Sequence, residues 1–315
     1  MDEKKSILVV IDPTTKEQHA LERATWIAKR MNASLELFIC DYDQYLADGR
    51  FFEEKALAKA RASLLAGHVE RLKKLAAKTS ADGIVVTVDA VWDHPLHDGI
   101  VRKVLRTKPD LVVKDTHYHA AIRRALFSNT DWNLIRDCPA SLLLVKPHDA
   151  GEVASVLAAI DPVNERDKPA ELDHRILDTA LELSTALGAR LNVLHAFDPS
   201  PAYAVSADSM AFPISMPMNE LTQALKQRHE KAVADLMQNY DIPEANVQVL
   251  EGDVGELLVT LAEKLSADIV VMGAVARGVL KRLVLGSTAE KLLDRIPCDL
   301  LIVKPSNFQT TVEAG

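Results

Sequence analysis

Residues 267–305 read ADIVVMGAVARGVLKRLVLGSTAEKLLDRIPCDLLIVKP, and they carry the clearest signals of the fold class. It opens with an apolar run at 269–272 in which branched residues dominate, as is typical of a parallel strand buried on both faces. Gly273 ends that run. A helical pattern at 289–295 and a second apolar run at 299–304 follow. Strand, helix and strand in this order predict an α/β architecture with a parallel sheet.

The same pattern occurs earlier in the chain. Residues 109–147 read PDLVVKDTHYHAAIRRALFSNTDWNLIRDCPASLLLVKP and align with 267–305 without a gap, at an offset of 158 residues. Each copy also begins with an apolar run that ends in Asp-Pro, SILVVID at 6–12 and VASVLAAID at 153–161. The chain is therefore one domain written twice. The predicted domains are residues 1–148 and 153–315.

Each copy alternates predicted strands with predicted helices. In the first copy the strands lie near 6–12, 34–40, 83–89, 110–114 and 141–146, and the helices near 17–31, 54–79, 96–107 and 130–137. In the second copy the strands lie near 154–160, 190–196, 245–250, 268–272 and 299–304, and the helices near 171–187, 218–240, 254–266 and 287–295. Right-handed crossovers then predict two tandem, doubly wound, Rossmann-like parallel sheets of five strands each.

Composition limits the classes of function. A length of 315 residues suits two domains, and 48% hydrophobic with 26% charged residues is ordinary for a globular protein. No apolar run approaches the roughly 20 residues that a membrane-spanning helix needs. The net charge of −8 argues against a nucleic-acid surface. The amino terminus has no signal-peptide pattern, and three cysteines indicate reduced thiols, so we expect a cytoplasmic location.

A glycine motif follows the fourth strand of the second copy. Gly273 and the pair Gly286-Ser287 fit the pattern Gly-x2-Gly-x9-Gly-Ser/Thr, with Ala276 at the position of the middle glycine. This motif, the Asp-Pro strand ends and the closing Val-Lys-Pro of both copies resemble the universal stress protein family, in its tandem form. The resemblance covers essentially the whole chain and implies the fold of the adenine-nucleotide alpha-hydrolases.

The resemblance also implies a ligand. In members that bind nucleotide, the ligand is ATP or a related adenine nucleotide, here expected with Mg²⁺, held beyond the carboxyl ends of the strands where the strand order reverses. The residues that this comparison assigns to nucleotide binding are Asp161, Val193, Met272, Gly273, Arg277, Gly286, Ser287 and Thr288. The structural alternative is that Gly273 makes a tight turn and that Ser287 or Thr288 is a helix N-cap.

The family comparison extends to role and assembly. It implies a stress-response protein that acts as a sensor or regulatory module with a protein partner, rather than an efficient hydrolase, since no catalytic triad spacing or Lys-bearing phosphate loop is present. Because the last strand commonly mediates dimer contact in this family, the two copies are expected to form an internal pseudo-dimer. A homodimer of the whole chain is the further alternative.

The first copy has lost the motif. The residues that align with Gly273, Ala276, Gly286 and Ser287 are Asp115, Tyr118, Ser128 and Asn129. A carboxylate at the start of the cradle repels phosphate, so this copy is not expected to bind ATP by the same route. Four histidines follow its third and fourth strands instead: His94, His97, His117 and His119. They match no standard zinc signature, and solvated loop histidines are the preferred interpretation over a divalent metal site.

The second copy contains an apolar insertion at 198–217. Five of its residues would form a lid over the crevice or pack between the domains: Tyr203, Met210, Phe212, Ile214 and Met216. An apolar lid and Ala276 together motivate an alternative function, a carrier or sensor of an apolar or nucleotide-linked lipid metabolite.

Overall fold

A computed structural model describes residues 4–47, 53–80, 83–116, 129–148, 151–163, 171–199, 218–274 and 295–314. The chain divides into two compact units, residues 1–152 together with 299–315, and residues 153–298. The last strand of the second sequence copy therefore lies in the first unit, a placement that the sequence-based domain boundaries do not include.

The first unit is an α/β sandwich. Its strands are β1 (Ser6–Val10), β2 (Ser34–Asp41), β3 (Val86–Trp92), β4 (Leu111–Asp115), β5 (Ser141–Val145) and β10 (Asp299–Val303). Its helices are α1 (His19–Met31), α2 (Gln44–Ala47), α3 (Glu54–Ser80), α4 (Leu96–Thr107) and α5 (Asn129–Asp137). The strands follow the order β3-β2-β1-β4-β5-β10, and the first five are parallel. This order reverses at β1, which confirms the predicted doubly wound fold.

Strand β10 pairs antiparallel with β5, with Leu300 opposite Leu144 and Ile302 opposite Leu142. All five residues of β10 are buried, as expected for an apolar run in the interior of a sheet. Beyond β10, the Lys304 ammonium donates to the carbonyls of Ile135 at 2.5 Å and Arg136 at 3.1 Å, which are orphan acceptors at the end of α5. Burial lowers the pKa of Lys304 to about 8.

The second unit repeats the alternation. Its elements are β6 (Ser155–Ile160), α6 (Glu171–Leu187), β7 (Arg190–Phe197), α7 (Met218–Met237), a 3₁₀ turn (Glu244–Asn246), β8 (Val247–Glu251), α8 (Val254–Lys264) and β9 (Ile269–Gly273). The strands are parallel in the order β9-β6-β7-β8, so β6 lies in the same topological position as β1 of the first unit. The strand order again reverses at the first strand of the copy, between β6 and β9.

Local sequence explains where several helices begin and end. Asp253 caps α8, since its carboxylate accepts from the backbone N–H groups of Gly255 at 3.0 Å and Glu256 at 2.9 Å. Asn32 ends α1 in the left-handed conformation, with φ of 51°, which asparagine tolerates well. In the part of the chain that the structure describes, no helix is both long and apolar enough to cross a bilayer. The three cysteines are buried and form no disulfide with one another.

Candidate functional site

The candidate site lies at the carboxyl ends of β6 and β9, where the strand order of the second unit reverses. Ala159 pairs with Met272 in the register of these strands, so Asp161 and Gly273 follow at the same edge of the sheet. The backbone N–H of Asp161 donates to the carboxylate of Asp173 at 3.0 Å. Asp173 is buried in the first turn of α6, and this contact fixes the chain just beyond β6. A crevice at this point is where open α/β sheets bind ligands.

Gly273 ends β9 against helix α6. A Cβ atom built at this position would lie 2.7 Å from Leu172 Cδ2, closer than real Cβ atoms come, and 3.0 Å from Ile176 Cδ1, tighter than most real contacts. Leu172 and Ile176 are both buried core residues. The glycine is therefore required by packing between the strand end and α6, in addition to any approach of a ligand.

Gly273→Ala is expected to destabilise the second unit by about 1–3 kcal/mol, because the added methyl forces Leu172 and Ile176 out of a packed core. All three tryptophans, Trp26, Trp92 and Trp132, belong to the first unit, so the loss is best followed by far-ultraviolet circular dichroism during urea unfolding, which also reports on the second unit.

The matched control for this substitution is Gly67→Ala. Gly67 lies within α3, and a Cβ atom there would have no neighbour within 4 Å. Because alanine is the better helix former, this variant should be as stable as the parent or more stable by up to about 1 kcal/mol. Equal destabilisation by both variants would contradict the packing role of Gly273.

Two other predicted site residues are core residues. Met272 lies in β9 with its side chain 6% exposed, directly before Gly273 and next to the strand end. Val193 lies in the middle of β7, four residues before its end at Phe197, with its side chain 0% exposed. The structure does not bring Val193 to the crevice. The β7 side chain that reaches the edge beside Asp161 is His195.

His195 is a functional candidate that the sequence analysis missed. Its side chain is fully buried, with Nδ1 at 3.1 Å from the Ile160 carbonyl oxygen and 4.0 Å from the Asp161 carboxylate. Its Nε2 lies 2.7 Å from Nδ1 of His229 on α7. The rings of His229 and Phe197 stack at 4.4 Å with an interplanar angle of 15°. A single histidine near the end of a mostly apolar strand, RLNVLHAF, was the signal that could have identified it.

Burial lowers the pKa of His229 below its ordinary value, and the neighbouring His195 lowers it further. Asp161 acts in the opposite direction, since its carboxylate favours the protonated ring, whereas Arg228 disfavours it. The neutral form of the His229 ring is therefore favoured at neutral pH. This places two coupled titratable rings at the edge of the crevice.

The first unit has a carboxylate where the second unit has Gly273. The Asp115 carboxylate is buried at the end of β4 and accepts from the backbone N–H of Ala20 at 2.7 Å. Ala20 lies in the first turn of α1, where backbone N–H groups have no acceptor within the helix. At this position, then, a protein carboxylate meets the positive end of a helix.

A buried ion pair, Lys114–Asp131, lies next to Asp115. The Lys114 ammonium at the end of β4 donates to the Asp131 carboxylate of α5 at 2.7 Å and to the Asp115 carbonyl at 2.8 Å. The two charged side chains are 7% and 0% exposed. The aligned residues of the second copy are Met272 and Ala289, both uncharged. The first unit thus has an internal salt bridge where the aligned residues of the second copy are uncharged.

The histidines of the first copy have separate surroundings. The His94 ring packs against Tyr42 with centroids 4.2 Å apart, and His97 contacts Asp98 at 3.3 Å and Asn133 at 3.3 Å. Within the described ranges, no three His, Cys, Asp or Glu side chains are arranged to hold a metal ion.

Several predicted residues lie outside the described residues. They are Arg277, Gly286, Ser287 and Thr288 of the glycine motif, Tyr203, Met210, Phe212, Ile214 and Met216 of the insertion, and His117 and His119. Their assignments stay predictions from the sequence.

Comparison with known proteins gives a consistent result over the whole chain. The model of the universal stress protein family matches residues 4–146 and again 155–304. Universal stress protein E of Salmonella typhi is 28% identical over 310 residues, which are 98% of this chain and 97% of that protein. Its counterpart in Escherichia coli strain K12 is 28% identical, over 98% and 96% of the two chains. A functionally unknown protein of Pseudomonas aeruginosa PAO1 has a similar crystal structure, with a TM-score of 0.71, 25% identity, and coverage of 96% and 94%.

Proposed function

Because this chain belongs to the universal stress protein family, with two tandem domains, we propose that its second unit binds ATP or another adenine nucleotide. The site is the crevice beyond β6 and β9. The protein acts in the stress response as a cytoplasmic sensor or regulatory module, and nucleotide occupancy changes its contact with a protein partner. The two tandem domains form an internal pseudo-dimer in this proposal.

The observation that carries the proposal is the difference between the two strand ends at Gly273 and Asp115. In the first unit, the buried Asp115 carboxylate accepts a hydrogen bond from the backbone N–H of Ala20. It brings a negative charge to the place that a phosphate would approach. In the second unit the aligned residue has no side chain. An anion is therefore disfavoured at this position of the first unit and is not opposed by a carboxylate at the same position of the second.

The residues of the second unit have distinct proposed roles. The Asp161 carboxylate, 19% exposed at the end of β6, would accept hydrogen bonds from the ribose hydroxyls. The Gly286-Ser287-Thr288 turn would hold the phosphates through its backbone N–H groups, with Arg277 adding positive charge and Mg²⁺ neutralising the phosphate oxygens. Ala276 adds one methyl to this cradle relative to the family motif, so we expect weaker binding than the complete motif would give.

Gly286→Asp is expected to weaken ATP binding by the full chain at least tenfold, because it places a carboxylate where the phosphates would sit. Isothermal titration calorimetry with MgATP measures this effect. The matched control is Ser128→Asp, which makes the same change at the aligned position of the first copy, and it should bind ATP like the parent. The proposal fails if the parent binds no ATP at millimolar concentration, or if both variants lose affinity equally.

The alternative function, a carrier or sensor of an apolar or nucleotide-linked lipid metabolite, rests on the sequence of the 198–217 insertion. Native mass spectrometry of freshly purified protein separates the two proposals. A retained adenine nucleotide without lipid supports the first, and a retained lipid without nucleotide supports the second.

A further inference from the structure

The strongest unexplained feature of the second unit is the hydrogen-bonded pair His195–His229. A fully buried histidine at the carboxyl end of β7 faces a half-buried histidine of α7, with nitrogens 2.7 Å apart. Nitrogens this close must share a hydrogen, because two bare lone pairs would repel each other. The pair also lies beside Ile160 and Asp161, at the edge of the crevice already assigned to the nucleotide.

The contacts of His195 determine which of its two ring nitrogens carries the hydrogen. Its Nδ1 lies 3.1 Å from the Ile160 carbonyl oxygen and 4.0 Å from the Asp161 carboxylate, both of which can only accept. Nδ1 must therefore carry a hydrogen. In the neutral ring Nε2 is then an acceptor, so Nδ1 of His229 donates to it. Stacking of the His229 ring on Phe197 holds the donor in line.

This arrangement can take up one proton without losing its hydrogen bond, and a second one only at high cost. The first proton enters at Nε2 of His229, the ring nitrogen that the pair does not use, and leaves the hydrogen bond to His195 intact. A second proton would place two N–H groups head to head across 2.7 Å. The pair therefore alternates between neutral and singly positive.

We propose that the His195–His229 pair forms a proton-sensitive wall of the nucleotide crevice, and that uptake of one proton by the pair tightens the binding of an anionic ligand. This inference rests on the proposed function, because it assigns a regulation to the same site. The new cation lies beside Asp161, and phosphates within a Debye length of about 8 Å at physiological salt are attracted to it. Binding of the anion in turn favours the protonated pair.

The other charges near the pair set the range of pH. Asp161 beyond β6 favours the proton, Arg228 on α7 opposes it, and Glu251 ends β8 opposite Phe197 in the strand register, where it is exposed to solvent. Since burial lowers the pKa of His229 below its ordinary value of 6.5, this ring is neutral at pH 8 and takes up a proton only at acidic pH. Affinity for an anionic ligand is therefore expected to rise with acidification in that range.

The test compares the pH dependence of MgATP binding in the parent and in His229→Gln. Calorimetric titrations at pH 8.0, 7.0, 6.0 and 5.5 should show parent affinity rising relative to the variant by about tenfold between the extremes, the equivalent of one pKa unit of coupling. The effect of ATP protonation on affinity cancels in the ratio of the two affinities, because both proteins bind the same ligand. His68→Gln is the matched control, since His68 on α3 of the first unit is also hydrogen-bonded, to Asp41 at 2.7 Å. It should follow the parent at every pH.

Nuclear magnetic resonance of the ligand-free protein tests the geometry directly. Long-range ¹H–¹⁵N spectra at pH 8 should show hydrogen on Nδ1 of His195, and His229 should titrate below 6.5 in one step. A hydrogen on Nε2 of His195 at pH 8 overturns the inference. So does an equal pH dependence in the parent and His229→Gln when both bind ATP. Failure of the parent to bind ATP at any pH overturns the proposed function as well, so the two failures are distinguishable.

Discussion

Asp299→Ala is expected to lower the free energy of unfolding of the first unit by about 3–5 kcal/mol, because it removes one partner of a fully buried ion pair. The Asp299 carboxylate accepts from Arg23 Nε at 2.9 Å, and the two side chains are 0% and 2% exposed. The other carboxylate oxygen accepts from the Lys146 backbone N–H at 3.0 Å and from His148 Nε2 at 2.9 Å. One carboxylate thus joins α1, the end of β5 and the start of β10.

The expected cost comes from what the substitution leaves behind. Arg23 would remain buried, with its hydrogen bond to the Gly151 carbonyl at 3.0 Å but without a negative partner. An uncompensated buried guanidinium costs several kcal/mol, far more than the net value of a surface pair. Asp299→Asn keeps the shape and one acceptor oxygen but not the charge, so its cost should lie between those of the parent and the alanine variant.

Urea unfolding followed by tryptophan fluorescence measures this loss, since all three tryptophans belong to the first unit. The control is Glu256→Ala, which breaks an exposed pair with Arg295 in the second unit and should leave the fluorescence transition unchanged. If Asp299→Ala unfolds at the same urea concentration as the parent, the buried pair does not hold β10 in the first unit.

The sequence predicted the elements well because their signals are local. Helices α4 and α6 were predicted near 96–107 and 171–187, and the structure gives Leu96–Thr107 and Glu171–Leu187. Strand β3 was predicted near 83–89 but spans Val86–Trp92. Its bounds depend on pairing with β2, where Leu35 lies opposite Val86, and an apolar run alone does not contain that register.

Placement of β10 depends on contacts that alignment cannot supply. The final strands of the two copies, LLLVK and LLIVK, are nearly identical, so the repeat assigns the second to its own copy. What differs is the residue before each run, Ser141 in the first copy and Asp299 in the second. Asp299 forms an ion pair with Arg23, which is 276 residues away in sequence. A partner at that separation leaves no local pattern.

The site was predictable only where a motif identified it. Asp161 and Gly273 were identified from an Asp-Pro strand end and a glycine motif, and the structure puts both at the edge where the strand order reverses. Val193 was assigned by resemblance alone and lies four residues inside β7. His195 and His229 are 34 residues apart, and their contact depends on how α7 packs on the sheet.

Asp131→Ala is expected to destabilise the first unit by about 3–5 kcal/mol, through the second buried pair, Lys114–Asp131. The Lys114 ammonium is 7% exposed and would lose its carboxylate partner. Lys114→Met should also be costly, because it leaves the fully buried Asp131 carboxylate without its lysine. Both losses are measured by urea unfolding with fluorescence, as for Asp299.

The double variant Lys114→Met with Asp131→Ala discriminates between charge and packing. It installs the aligned residues of the second copy, Met272 and Ala289, so both charges leave together. Because buried ion pairs often exchange for apolar residues at little cost, its stability should return to within about 1 kcal/mol of the parent. A double variant as unstable as the sum of the single variants would contradict coupling between the two charges. Recovery would instead mean that the pair is dispensable for stability. The charges at the end of β4 would then distinguish the two copies mainly by the ligand that each can accept, beside β4 in the first copy and beside β9 in the second.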